Sequence, residues 1–377
     1  MERSLWKFGR PWTALGNDAR TRRGARISWM AAAHVAASTL ADARALPAQA
    51  LDASASGGGA SGSAVTAAPL SAAGVREAAR AVARGPMGAA STPDELLHLQ
   101  ALLDGAGFAP GAIDAKWSDN TRLAVRAFRA AAGLPLADEI DADAYARLVE
   151  AADARDPLAS YTLTAADVRG PYRRLPAGTY AKARLDCLCY QSLLEMLGER
   201  FHVTPAVLKR LNPDVDFARA AAGTAVVVPN VARRPAAGVA PRLARLVVDR
   251  GQGSLRGEDA AGRPLFWMPV SVGSPEEPSP SGRLKVVSIT RDPHYHFNPR
   301  VLGDVPDSRP DAHLPPGPNS PVGVLWMQLS KAHVGIHGTA DPELVGPGMS
   351  HGCVRVTNWD ARFLADVARP GLEVRFL

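Results

Sequence analysis

The spacing of apolar residues changes twice along this chain, and each change marks a different kind of element. In "STPDELLHLQALLDGAGF", Leu96, Leu99, Leu102 and Leu103 recur at helical spacing, which predicts one amphipathic helix. Thr92 with Glu95 three residues later forms a capping box, and Pro93 suits the first helical position. Gly105 and Gly107 end the helix. "SDNTRLAVRAFRAAAGL" repeats the plan, with Ser118 as cap and Leu123, Phe128 and Ala131 on the expected buried face. "DADAYARLVEA" supplies a third short helix. Residues 91–152 therefore read as a three-helix bundle, a module small enough to favour binding over catalysis.

The next segment mixes periods. "YQSLLEMLGERFHVTPAVLKRLNPDVDFARAAAGTAVVVPNV" predicts two helices broken at "HVTP" and then a short strand, "TAVVVP". Thr204 and Pro205 mark the second helix start, and His202 in the turn reads as an exposed or capping residue. Residues 233–241, within "RRPAAGVAPR", are a Pro/Ala linker. From 242 to 377 the period falls to two. "ARLVVDR", "FWMPVSVG", "RLKVVSI", "VLWMQLS", "AHVGIHG", "CVRVTN" and "EVRFL" are short Val- and Leu-rich strands between Pro, Gly and Asn. Only "DARFLADVA" looks helical. The chain is thus a multidomain α+β protein whose last domain is an all-β sandwich or barrel-like unit.

Charge sharpens the domain picture. Residues 1–90 carry 11 Lys/Arg against 5 Asp/Glu, while the remaining 32 basic and 32 acidic residues cancel. The basic excess belongs to the leader, which removes the sequence-level case for nucleic-acid binding by the folded part. Arg20, Arg22, Arg23 and Arg26 precede a mildly apolar run from Ile27 to about Leu40, with Ala-x-Ala-like sites near Ala43 and Ala50. That order predicts an export signal over 1–50. Residues 51–90, opening "LDASASGGGASGSAVTAAPLSAAG", read as a flexible linker. No run reaches the ~18–20 apolar residues of a membrane span.

Strand parity then assembles a candidate site. In "AHVGIHG", Val334 and Ile336 face one way and His333, Gly335 and His337 the other. In "HGCVRV", Val354 and Val356 take the apolar face, which leaves His351, Cys353 and Arg355 together. A histidine beside a thiol can take its proton and return one to a leaving amine. Backbone N–H groups around "SHGC" are candidate oxyanion donors. The same residues also suit zinc, and Cys353 could equally be a buried structural cysteine. Cys187 and Cys189, one residue apart, read as two buried or free thiols, because a disulfide is rarely met at that separation.

"IHGTADPELVGPGMSHGCVRVTN" resembles the active-site signature of the L,D-transpeptidase catalytic domain of the YkuD type, and the likeness continues upstream through "PVSVGSPEEPSPSGRLKVVSI", "LPPGPNSPVG" and "VLWMQLS". It covers 242–377. The resemblance implies Cys353 as nucleophile, His337 as general base and acid, and His351 as the second motif histidine. Ser350, Gly352 and Gly338 would shape the oxyanion site and position substrate. Arg355 stands where some members have Asn, and Tyr295, His296 and Phe297 depart from members with Trp nearby. The implied substrate is a peptidoglycan tetrapeptide stem, with release of D-Ala through a thioester. The acceptor is an amine of a neighbouring stem or of an outer-membrane lipoprotein. Neither metal, cofactor nor ATP is implied, and the compartment is the periplasm or cell wall. Residues 94–151 are similar to the peptidoglycan-binding helical domain, with Ala115 where that family often has Gly. Residues 160–232, with "LNP" and "AGTAVVVPNV", look like a βααβ LysM-type glycan-binding module. Two other functions compete: an L,D-carboxypeptidase on the same residues, and a non-catalytic wall-binding protein, which retention of His337 and Cys353 argues against.

Overall fold

The computed structural model describes residues 70–231, 236–275, 277–301, 308–346, 350 and 352–377. The expected export signal, residues 51–69 of the expected linker, and His351 lie outside the described residues.

The helical module begins earlier than its sequence pattern suggests. Ala72–Glu77 and the 3₁₀ turn Ala78–Ala83 precede the capped helix, so the expected linker over 51–90 does not extend this far. Val75 is fully buried, and Ala78, Ala81 and Val82 join the same core as Leu99, Leu102 and Leu103. Small residues hid this segment from a reading based on Leu stripes. The capping box at Thr92–Glu95 forms in both directions and opens helix Pro93–Gly105. Helices Asp119–Ala131, capped by Ser118, and Ala142–Ala151 complete the bundle. The middle helix buries Ala124, Val125 and Phe128, whereas Ala131 is exposed and Leu123 only half-buried. Its apolar face is thus offset from the expected one. Ala115 has φ 59°, the left-handed region where a glycine is the usual residue.

In the second module β1 (Leu158–Thr162) pairs antiparallel with β2 (Ala225–Pro229) around helices Leu193–Arg200 and Pro205–Leu211. Thr204 caps the second helix through its side chain. Between β1 and the first of these helices the chain makes an excursion over 171–190. Cys187 and Cys189 in it form a disulfide. This corrects the expectation of two thiols: their Cα atoms are 5.2 Å apart, well inside the range a disulfide spans. The short linker is not loose throughout either, since Ala236–Val239 forms a helical turn and Val239 packs into the C-terminal core.

The C-terminal strands are β3 (Arg245–Asp249), β4 (Ser254–Glu258), β5 (Pro264–Pro269), β6 (Gly282–Arg291), β7 (Tyr295–Phe297), β8 (Ala312–Leu314), β9 (Leu325–Leu329), β10 (Gly335–His337), β11 (Val354–Arg355) and β12 (Glu373–Phe376). Eight of them form one sheet in the order β11-β10-β9-β6-β12-β3-β4-β5, and β7 pairs with β8 as a separate hairpin. The ends of the large sheet meet. Just beyond β5, Ser271 and Arg355 exchange both backbone hydrogen bonds, at 3.0 and 2.9 Å. The sheet therefore curls toward a barrel, and the second sandwich layer is supplied by its own curvature and by helix Asn358–Val367. One core cluster runs from Phe266 and Met268 on β5 to Val354 beside the closure. Among the described residues no helix is long and apolar enough to cross a membrane.

Candidate active site

Pairing between β10 and β11 brings the two halves of the sequence motif together. Ile336 lies opposite Val354 and His337 opposite Arg355 in a parallel ladder. Ile336, Val354 and Val356 point into the main core, whereas Cys353 belongs to a second, smaller cluster. Strand alternation thus separates packing from chemistry as the sequence parity implied.

The turn before β11 is held by three anchors. Ser350 Oγ donates to the Cys353 carbonyl at 2.5 Å. Its backbone N–H donates to the Val272 carbonyl at 2.8 Å, and its carbonyl accepts from Ser274 N–H at 2.9 Å. Gly352 has φ 96°, a conformation that a side chain would strain. Ser350 and Gly352 therefore set the path that presents Cys353.

His337 is fully buried. Its Nδ1 lies 2.6 Å from the Gly338 carbonyl. A carbonyl can only accept, so Nδ1 carries the proton and Nε2 is the free base. Nε2 is buried with no hydrogen-bond partner among the described residues. The Trp326 ring stacks on the imidazole, centroids 5.7 Å apart. Asn358 supports the loop behind it. Its Oδ1 accepts from Val324 and Thr339 N–H, both at 3.2 Å, and its Nδ2 donates to the Pro318 carbonyl at 3.0 Å. Burial pulls the His337 pKa down to about 3, the Arg355 charge adds to this, and the Gly338 carbonyl opposes it.

Cys353 is also fully buried, and its thiol donates to the His333 carbonyl at 3.6 Å. Burial pushes its pKa up to about 11, against the Gly335 N–H and Arg355, which both favour the thiolate. At neutral pH the site therefore holds a neutral thiol and a neutral imidazole. Arg355 is buried as well, and burial lowers its own pKa against the pull of Asp341 and Cys353. Its Nε has no hydrogen-bond partner among the described residues. An imidazole nitrogen and a guanidinium nitrogen, both buried without a hydrogen-bond partner among the described residues, are a base and a positive charge available to a developing anion.

Of the sequence candidates, Cys353, His337, Gly338, Ser350, Gly352 and Arg355 converge here. His333 contributes its backbone, and its side chain is exposed. Tyr295 and Phe297 sit in the apolar cluster around the thiol, with His296 half-buried between them and stacked on His313. His202 is neither exposed nor a cap: its ring stacks on Trp359 at 5.0 Å and meets Asp104 Oδ2 at 3.0 Å. Sequence reasoning passed over Trp326 and Asn358. Asn358 reads in the sequence as the end of the strand "CVRVTN", whereas the helix capped by Thr357 begins at Asn358, two residues before the expected "DARFLADVA".

Residues 244–375 match the model of the YkuD L,D-transpeptidase catalytic domain. This part of the chain is an L,D-transpeptidase catalytic domain. A protein of Bacillus licheniformis that carries the name L,D-transpeptidase YkuD is 28% identical over 181 residues, which cover 48% of this chain and 91% of that one. A protein of Escherichia coli named for L,D-transpeptidase YbiS is 36% identical over 66 residues, 18% of this chain and 21% of that one. The solved L,D-transpeptidase from Mycobacterium smegmatis is 19% identical, with 42% of this chain and 64% of that one covered at a TM-score of 0.30, too low to add weight to the family match. With the L,D-transpeptidase domain in place, the chain is an enzyme of the acyltransferase class.

Proposed function

We propose that this L,D-transpeptidase domain forms and resolves a thioester on Cys353, moving the acyl group of a peptidoglycan tetrapeptide stem to an amine. The observation that carries the reading is the buried pair itself: His337 with its Nδ1 proton tied to Gly338, its Nε2 free, and a thiol on the same face of the next strand. Nε2 takes the thiol proton as sulfur attacks the carbonyl of the third stem residue, and gives it to the departing D-Ala amine. An amine of a neighbouring stem, or of an outer-membrane lipoprotein, then attacks the thioester and loses its proton to the same nitrogen. Arg355 and the backbone N–H groups of the Ser350–Cys353 turn balance the negative charge on the carbonyl oxygen.

The upstream modules fit this substrate as wall-binding units. The antiparallel β1–β2 pair around two helices supports the LysM-like reading, and the capped three-helix bundle supports the reading as a peptidoglycan-binding helical domain. The named Bacillus licheniformis relative matches over a longer span than 244–375, so its likeness reaches past the catalytic domain. Substrate on the outer wall agrees with an exported protein.

Incubating the full chain with a tetrapeptide muropeptide or a carbapenem, a strained amide that acylates nucleophiles, should add a covalent mass that is absent from Cys353→Ala. Equal masses in both would remove Cys353 as nucleophile. Cross-linked dimers among the products identify transfer to an amine. Trimmed tripeptides alone would replace the transferase with a carboxypeptidase.

A further inference from the structure

The thiol is sealed, and part of the seal comes from another module. The excursion over 171–190 leaves the βααβ module and lays Leu175, Tyr180, Leu185 and Leu188 against the apolar cluster that holds Cys353 and Trp326. Leu188 is fully buried there. Its backbone is paired on both sides. Leu188 N–H donates to the Pro316 carbonyl at 2.8 Å, and Asn319 N–H donates to the Leu188 carbonyl at 3.0 Å. Both backbone groups of Leu188 are thus held by the turn that follows β8. Asn319 Nδ2 donates to the Cys189 carbonyl at 3.0 Å, and Tyr180 Oη donates to the Pro310 carbonyl at 2.9 Å. At Gly317 an added Cβ would collide with the Leu188 backbone, so the turn is shaped to let a peptide lie close. The Cys187–Cys189 disulfide closes a small ring about Leu188 and holds the bend that projects it.

A stem peptide cannot reach a fully buried thiol, so some cover has to leave. Strands β10 and β11 are embedded in the sheet. The excursion is held by one fully buried leucine, the half-buried Leu175, Tyr180 and Leu185, and a few hydrogen bonds, less than holds the sheet strands. The cleft of about 780 Å³ elsewhere on the molecule, lined by Asn120, Arg210 and Gln252 among others, is lined by neither Cys353 nor His337.

We propose that residues 187–189 are an intramolecular plug, seated on the Pro316–Asn319 turn in the place of the substrate's peptide backbone, and that a stem peptide gains that turn and Cys353 only when the plug withdraws. The identity of the displaced ligand rests on the function proposed above; the sealing of the thiol does not.

Cys353 is the one free thiol of the oxidised chain, so iodoacetamide incorporation under non-reducing, non-denaturing conditions counts it alone. Leu188→Ala in the full chain should be alkylated on the order of tenfold faster than wild type or more, because removing a fully buried leucine shifts an opening equilibrium at least that far. Cys187→Ser with Cys189→Ser, which frees the ring, should also accelerate labelling, and it carries the test if Leu188→Ala does not fold. Leu208→Ala, fully buried in the same module's core, should keep the wild-type rate. Wild-type labelling in both plug variants, or equal acceleration by Leu208→Ala, overturns the plug. A second arm uses the Cys353→Ala chain, in which tetrapeptide binding should tighten by a similar factor when Leu188→Ala is added. Unchanged affinity would overturn the shared docking turn. Alkylation needs no acyl transfer, so a chain that labels quickly as a plug variant yet forms no acyl adduct loses the function and keeps the plug.

Discussion

Two apolar clusters flank strands β10 and β11, and they are assembled by different means. The larger one takes its members almost entirely from the C-terminal domain, from Val239 to Phe376, with Ala109 as an outside contribution. The smaller one joins Cys353 and Trp326 of the sheet to the β7–β8 hairpin and to Leu188, more than a hundred residues upstream. The first is a core that one domain builds for itself. The second is a chemical site completed by a neighbour. The difference separates stability from access: the large cluster holds the fold, and the small one holds the thiol out of water.

The sharpest test of that division is at the base. His337→Gln should leave the main core packed and slow acyl-adduct formation on Cys353 by roughly 10²- to 10⁴-fold, the usual worth of a positioned general acid–base. Adduct formation by mass spectrometry at fixed carbapenem concentration reads it, and an unchanged rate would dismiss His337 as base.

Leucines from the two clusters should behave differently. Leu246→Ala, in the large cluster, should cost about 2–5 kcal/mol in urea unfolding and leave Cys353 alkylation in dilute buffer unchanged. Leu314→Ala, in the small one, should cost less globally and speed alkylation. Equal behaviour of the two variants would break the comparison.

Acid should attack the chemical side first. Folded His337 binds its proton only near pH 3, against 6.5 for an ordinary histidine. Between these values the unfolded chain holds more protons, so stability is present near neutrality and is lost as pH falls through that window. The slope approaches about 1.4 kcal/mol per pH unit for this one proton. Urea midpoints at pH 6.5 and 4.5 should therefore draw together in His337→Gln relative to wild type; identical pH responses would mean that the imidazole is not held neutral by burial. The smallest effect belongs far from both clusters. Thr92→Ala removes one capping hydroxyl and should cost about 1 kcal/mol in the same unfolding measurement, with no change at Cys353.

The sequence was most legible where a local rule acts on consecutive residues. The Thr92–Glu95 capping box, the Thr204 cap and the β10–β11 alternation all follow from contacts within a few residues or from a fixed period. It was least legible where small or unremarkable residues make long-range contacts. The helical segment from Ala72 lacked large side chains to mark it. His202 looked like a turn residue and proves to bridge Asp104 and Trp359. Spacing argued against the Cys187–Cys189 bond, but a bend in the excursion brings the two Cα atoms close enough.

Which residues of each strand share a face could be read from the sequence alone, because side-chain alternation is a property of the backbone and needs no partner. The sequence also determined the motif that pairs a His-Gly with a Ser-His-Gly-Cys. Only the tertiary structure decided what surrounds them: which ring lies on His337, which amide braces its loop, and which distant segment covers Cys353. Those depend on where a chain of many turns returns in space, and no period along the sequence records that distance.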